Sequence, residues 1–176
     1  VVSTLKHKYC FVQEKSKFFI HSLFCFIMII VIRGPAGVGK TVVSKKLAKK
    51  LKCECIHIDD VLKKHDLDCI KGECIPEENF LKVNNLIDLK GKYIVVEGNF
   101  YHKSVIMDLI NKGKCIIFSL EAPLKECIKR DSNRKGIGAR SIKDVFNLSF
   151  PFGTNIDTFG KTEEEVVNEI IKKIKV

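Results

Sequence analysis

Apolar residues along this 176-residue chain fall into two kinds of run. Short, nearly unbroken ones occupy Met28–Arg33, Tyr93–Glu97 and Cys115–Leu120, the pattern of strands buried on both faces of a parallel sheet. Cys53–Ile58 and Thr154–Asp157 are weaker strand candidates. The second kind has helical spacing. Thr41–Leu51 sets Val43, Leu47 and Leu51 on one face, with lysines opposite. Pro76 followed by Glu77 and Glu78 suits a helix start, and Phe80, Leu81, Val83, Asn84 and Ile87 carry that helix to Gly91. Helices are also predicted over Val61–His65, Lys103–Asn111 and Ile142–Leu148, and from Pro123 with Leu124, Cys127 and Ile128 inward. The last, Glu163–Ile174, has Val166, Val167, Ile170, Ile171 and Ile174 in one stripe. Asp66–Pro76, around Gly72, reads as a loop. Strands alternating with helices predict an α/β fold: a three-layer sandwich with a parallel sheet, right-handed crossovers and helices on both faces.

Between the first strand and the first helix lies Gly34-Pro35-Ala36-Gly37-Val38-Gly39-Lys40-Thr41, which fits G-x-x-x-x-G-K-[ST] at every specified place. The glycines let the backbone turn its amides inward as an anion nest at a helix N-terminus, where the dipole also favours phosphate. Lys40 is expected to reach the β- and γ-phosphates and the Thr41 hydroxyl to ligate magnesium. A chance glycine-rich turn is the alternative, and the strand before and helix after weigh against it.

In open parallel sheets the ligand lies beyond the carboxyl ends of the strands. Asp59-Asp60 and Glu97 fall there. Asp59 is assigned as the base on the acceptor side, a role that Asp60 can exchange with it, and Glu97 as the magnesium-side carboxylate, directly or through water. The structural alternative makes Asp59 or Asp60 the N-cap of the helix over Val61–His65. Glu97 resists such a reading, because a carboxylate directly after three buried strand residues is costly without a partner.

Only four of the 31 basic residues are arginines, and three of them, Arg130, Arg134 and Arg140, cluster. The planar guanidinium fork clamps phosphate oxygens in a way lysine cannot. Arg130 and Arg134 share a helical face just before Gly136 and Gly138, so they are expected on a hinged lid that closes on the transferring phosphoryl group. Otherwise they belong to a solvated helix paired through Glu126 and Asp131. Arg33 reads as a cap of the first strand. His57 is read as structural or partly exposed, and His102 is left without a role.

Composition narrows the partners. Lysines spread along the whole chain make the net charge +10, which favours a small polyanionic ligand over nucleic acid, whose binders concentrate charge in a stripe. Nucleic acid remains possible but is not favoured. The eight cysteines are expected as thiols in a cytoplasmic protein; Cys53, Cys55, Cys69 and Cys74 have spacings that fit paired zinc knuckles poorly. The apolar stretch Phe18–Ile32 is too short to span a membrane once Ile29–Ile32 are taken as strand, so no membrane partner is expected. Residues 1–27 are expected to be an extension outside a single domain over 28–176, which acts as a monomer or homodimer.

From Met28 onward the chain resembles the small P-loop kinases, which include adenylylsulfate, gluconate, shikimate, phosphoseryl-tRNA and polynucleotide 5′-hydroxyl kinases. Four segments carry the resemblance. They are the phosphate loop, Ile58-Asp59-Asp60-Val61, Val96-Glu97-Gly98-Asn99-Phe100, and the run Ala122–Arg134 before the lid. The resemblance implies a P-loop NTPase fold with five parallel strands in the order 2-3-1-4-5, ATP and Mg2+ as cofactors, and Asp157–Lys161 near the adenine. It also implies transfer of the γ-phosphate to a hydroxyl of a small anionic acceptor. Glu97 stands where aspartate is common in that family, and no substrate-reading signature selects one acceptor, or ATP over GTP. Other NTPases are weighed against the kinase, among them motors, transporters, AAA-type ATPases and switch GTPases, as is a nucleotide-binding regulator without catalysis. The chain has no Asn-Lys-x-Asp guanine motif and no transporter signature, and motors and AAA-type machines need more chain.

Overall fold

The computed structural model of the chain describes residues 27–68, 75–133 and 136–174. The proposed N-terminal extension, except Ile27, lies outside these residues, as do Cys10, Cys25, Cys69, Cys74 and Arg134.

The described residues form five strands and seven helices: β1 (Met28–Arg33), α1 (Lys40–Leu51), β2 (Glu54–His57), α2 (Ile58–Lys64), α3 (Glu77–Leu86), β3 (Tyr93–Gly98), α4 (Lys103–Lys112), β4 (Lys114–Glu121), α5 (Leu124–Ser132), α6 (Ala139–Leu148), β5 (Thr154–Asp157) and α7 (Glu163–Ile174). All strand pairs are parallel, in the order β2-β3-β1-β4-β5, as the kinase resemblance implies. β1 is central, bonded to β3 from Met28↔Tyr93 to Arg33↔Gly98 and to β4 from Met28↔Lys114 to Arg33↔Ser119.

Both faces of the sheet are covered, which is why its strands lack polar alternation. Ile30, Ile32, Val95, Phe118 and Leu120 point to one face, where they meet Val43 and Leu47 of α1, Cys127 of α5, Ile142 of α6 and Val166, Val167 and Ile170 of α7. Ile29, Val31, Ile94, Val96 and Ile117 point to the other and meet Leu62 of α2, Phe80 and Val83 of α3 and Ile106 and Leu109 of α4. Leu47 is wholly buried, so truncating it to alanine would cost about 2–5 kcal/mol.

Three helix boundaries differ from the pattern reading by more than one residue; one is that of α6, which begins at Ala139, three residues before Ile142. α2 begins at Ile58, three residues before Val61, and follows β2 with no intervening loop. Ile58 and Leu62, four apart, are the buried pair that anchors it. Its N-cap is His57, without a side-chain cap bond, so neither Asp59 nor Asp60 is the N-cap; both lie in the first turn, where the helix dipole favours negative charge. α3 ends at Leu86 instead of running to Gly91, because Ile87 turns to an extended conformation and tucks into the core. Among the described residues no helix is long and apolar enough to cross a membrane.

Candidate active site

The phosphate loop is built by close approach. Gly34 (φ 143°) and Gly37 (φ 81°) occupy backbone regions that side chains rarely adopt, and a Cβ at either would fall against a carbonyl oxygen, that of Leu120 or of Cys127. Gly39, the N-cap of α1, needs its freedom only for φ 98°, since nothing stands near its missing Cβ. Lys40 is 8% exposed and its Nζ donates to the Pro35 carbonyl at 3.0 Å, across the mouth of its own loop.

A cavity of about 180 Å³ opens over this loop, and Gly37, Lys40, Thr41, Asp59, Glu97 and Asp131 are among its lining residues. The strand ends thus bring the phosphate loop, Asp59 and Glu97 together. Asp60 is turned away and lines a recess of about 320 Å³ at the β2 edge. Asp59 is open to solvent through the cavity, yet the walls around it push its carboxyl above the usual range; Glu97 and Asp60 push the same way, and Lys40 and Lys63 pull it back.

Glu97 is 6% exposed, and its Oε2 lies 2.7 Å from His57 Nδ1. Asp131 is 3% exposed; its Oδ2 accepts the Gly138 amide at 2.9 Å and its Oδ1 the Ile137 amide at 3.3 Å. Asp131 is thus buried, not solvated, whereas the pairing of Arg130 with Glu126 is present. Gly136 permits the arrangement, because a Cβ there would collide with the Asp131 carboxyl. Asp131 and Asn99 were missed as cavity residues; the only trace of Asp131 in the sequence is its place between Arg130 and the Gly136/Gly138 pair.

Arg130 is not on this cavity. Its Nε donates to Glu126 Oε1 at 2.9 Å and its Nη2 to the Thr158 carbonyl at 3.1 Å, while Nη1 reaches Thr158 Oγ1 at 3.1 Å and the Val38 carbonyl at 3.4 Å. It lines a neighbouring cavity of about 240 Å³ with Val38, Val42, Thr158 and Lys161. Arg33, expected to cap its strand, is 1% exposed and bonds Ser119 Oγ at 2.9 Å, the Phe150 carbonyl at 2.5 Å and the Phe100 carbonyl at 3.2 Å. Burial pulls its guanidinium down to about 10.

The cavity suits magnesium through its donors. Thr41, Asp59, Glu97 and Asp131 are hard oxygen ligands, and Mg2+ typically takes one or two carboxylates, keeps several waters and shares phosphate oxygens. Among the described residues no three His, Cys, Asp or Glu side chains converge tightly enough to cage an ion directly. Cys53, Cys55, Cys115 and Cys127 are free thiols, each raised above its usual range mainly by burial, Cys115 to about 11.

A family model described as an AAA domain matches residues 30–144. A protein of Pyrococcus furiosus named "Putative adenylate kinase" is 32% identical over 152 residues, covering 84% of this chain and 84% of its own length. In fold, the chain resembles a gluconokinase from Sinorhizobium meliloti (TM-score 0.67, 15% identity, 85% of this chain and 93% of that one). The APS kinase of Mycobacterium tuberculosis, solved with AMPPNP and APS, is equally similar (TM-score 0.67, 14% identity, 86% and 99%). The chain belongs to the family of that AAA-domain model and of the archaeal relative, and it is a P-loop phosphotransferase with the fold of the small kinases.

Proposed function

We propose that the chain uses ATP with Mg2+ to phosphorylate a small anionic acceptor. One observation carries this reading: the phosphate loop, Asp59, Glu97 and Asp131 share one cavity at the carboxyl ends of the strands. In it, the backbone N–H groups of residues 36–41 would cradle the β- and γ-phosphates, and Lys40 would exchange the Pro35 carbonyl for phosphate oxygens. Thr41 and Glu97 would hold the magnesium, in part through water, and the ion would neutralise charge on the phosphates. The acceptor oxygen attacks the γ-phosphorus as the bond to the β–γ bridging oxygen breaks, and ADP leaves. For a hydroxyl acceptor, Asp59 takes the proton, a task its raised pKa suits.

Arg130 is assigned to the base side. It forms the wall of the cavity that continues from Val38 past Thr158 to Lys161, so it positions nucleotide instead of meeting the transferring group. Arg134 keeps the phosphoryl-facing role only on the strength of its spacing. A cytoplasmic location fits a consumer of ATP whose cysteines stay as thiols.

The archaeal relative favours a second acceptor class, a nucleoside monophosphate, whose phosphate oxygen is already ionised and gives Asp59 no proton to take. The test is ATP consumption with AMP, other nucleoside monophosphates, adenylylsulfate, sugar acids, aminoacyl-tRNA and 5′-hydroxyl RNA, each repeated with Lys40→Ala. An acceptor that accelerates ADP release in the wild type and not in that variant identifies the substrate. If none of them does, the small-acceptor reading fails.

A further inference from the structure

Glu97 is held by a single side chain. In the sheet it sits between Ile32 of β1, which is wholly buried, and His57, the last residue of β2 and its partner in the β2–β3 register. Isoleucine offers it nothing polar. Among the described residues His57 Nδ1, at 2.7 Å, is the only hydrogen-bond partner of the Glu97 carboxyl, and it meets Oε2. A carboxylate so deeply buried depends on that donor to stay hydrogen-bonded and oriented.

The ring is fixed from its other side too. Cys55, two residues back on the same face of β2, places its Sγ 3.7 Å from His57 Nε2. The roles follow from the chemistry of each group. A carboxylate oxygen accepts, so Nδ1 carries the proton; in that tautomer Nε2 accepts and the thiol donates to it. The order Cys55 S–H to His57 Nε2, then His57 Nδ1–H to Glu97 Oε2, leaves Glu97 Oε1 without a donor among the described residues, on a residue that lines the phosphate cavity.

We infer that His57 is the positioning residue of the active site: it holds Glu97 in the one orientation that presents its free oxygen to the magnesium-bearing phosphates. The inference rests on the proposed magnesium-side role of Glu97 and extends it to a residue that touches neither metal nor substrate. Partners of this kind orient a ligand without binding the ion, and losing one lowers metal affinity or activity by about 10- to 100-fold.

The test compares His57→Ala, His57→Asn and His57→Gln with the wild type and Glu97→Gln. Asparagine places an N–H close to the Nδ1 position, whereas glutamine reaches the Nε2 position and misses Glu97. In metal-free wild-type protein, nitrogen-15 spectra of the imidazole should show Nδ1 protonated. The Mg2+ concentration that half-saturates fluorescent-nucleotide binding should rise about 10-fold in His57→Ala and stay raised in His57→Gln. His57→Asn should recover most of the loss, and nucleotide affinity in EDTA should be the same in the wild type and the three His57 variants. An Nε2–H tautomer, an unchanged magnesium requirement in His57→Ala, or an EDTA affinity that falls in step with it overturns the inference. If Glu97→Gln raises the requirement and His57→Ala does not, the positioning role alone fails. If Glu97→Gln leaves it unchanged, the magnesium role of Glu97 fails and takes this inference with it.

Discussion

Arg130 grips Thr158 twice, with Nη2 on its carbonyl and Nη1 on its hydroxyl, both at 3.1 Å. Thr158 is itself 3% exposed, with its amide bonded to the Glu121 carbonyl at 2.8 Å. The clamp ties the end of α5 to the β5–α7 connection, near which the kinase resemblance implies the adenine.

Arg130→Ala should therefore weaken nucleotide binding by about 10-fold or more, the scale of one charge-assisted hydrogen bond lost, with little change in kcat. Arg130→Lys should recover little, since an ammonium cannot span Glu126, Thr158 and Val38 together. Titration with a fluorescent nucleotide decides it. Normal affinity with depressed turnover would return Arg130 to the lid.

Asp59 has a pH signature. Its carboxyl is raised above its unfolded value, so between the two pKa values the native state binds more protons and stability falls as pH rises through that window. Ionised Asp59 thus weakens the fold at neutral pH. Asp59→Asn should melt higher than wild type at pH 7 and match it at pH well below 3.8, while transfer to a hydroxyl acceptor slows by about 10²-fold. A variant that melts lower at pH 7 would contradict the raised carboxyl.

The glycines of the phosphate loop separate backbone strain from crowding. Gly39→Ala should cost about 1–2 kcal/mol, from the positive φ alone. Gly37→Ala adds a collision with the Cys127 carbonyl and should cost clearly more. Urea midpoints of the two variants test the order.

Lys40→Ala should remove most turnover, roughly 10²–10³-fold, by taking away the cation fixed on the phosphates. It also leaves the Pro35 carbonyl without the donor it has now, so its melting temperature should be measured alongside. Full activity in a folded variant would dismiss the site.

What was legible in the chain follows the range of each interaction. The phosphate loop is contiguous, a strand buried on both faces is a short apolar run and an amphipathic helix a stripe, so Met28–Arg33 and Glu163–Ile174 are legible with the bounds they have. His57 and Glu97 are 40 residues apart and meet only through the β2–β3 register, which no local pattern encodes. The burial of Asp131 depends on how closely residues 136–138 fold back over it, and Gly136 marks that approach only once the turn is known. α2 was started too late because Ile58 was spent on the preceding strand, although its spacing to Leu62 is helical.

Arg33 carries a consequence for the order in which the molecule is made. Its guanidinium bonds residues 67, 86 and 117 positions further along, so the residue that leads into the phosphate loop is fixed by distant parts of the sequence. Contacts of such separation form late, and on the ribosome the last of them must await residue 150. Until then the growing chain holds a complete G-x-x-x-x-G-K-T motif over an arginine whose companions have not all been synthesised.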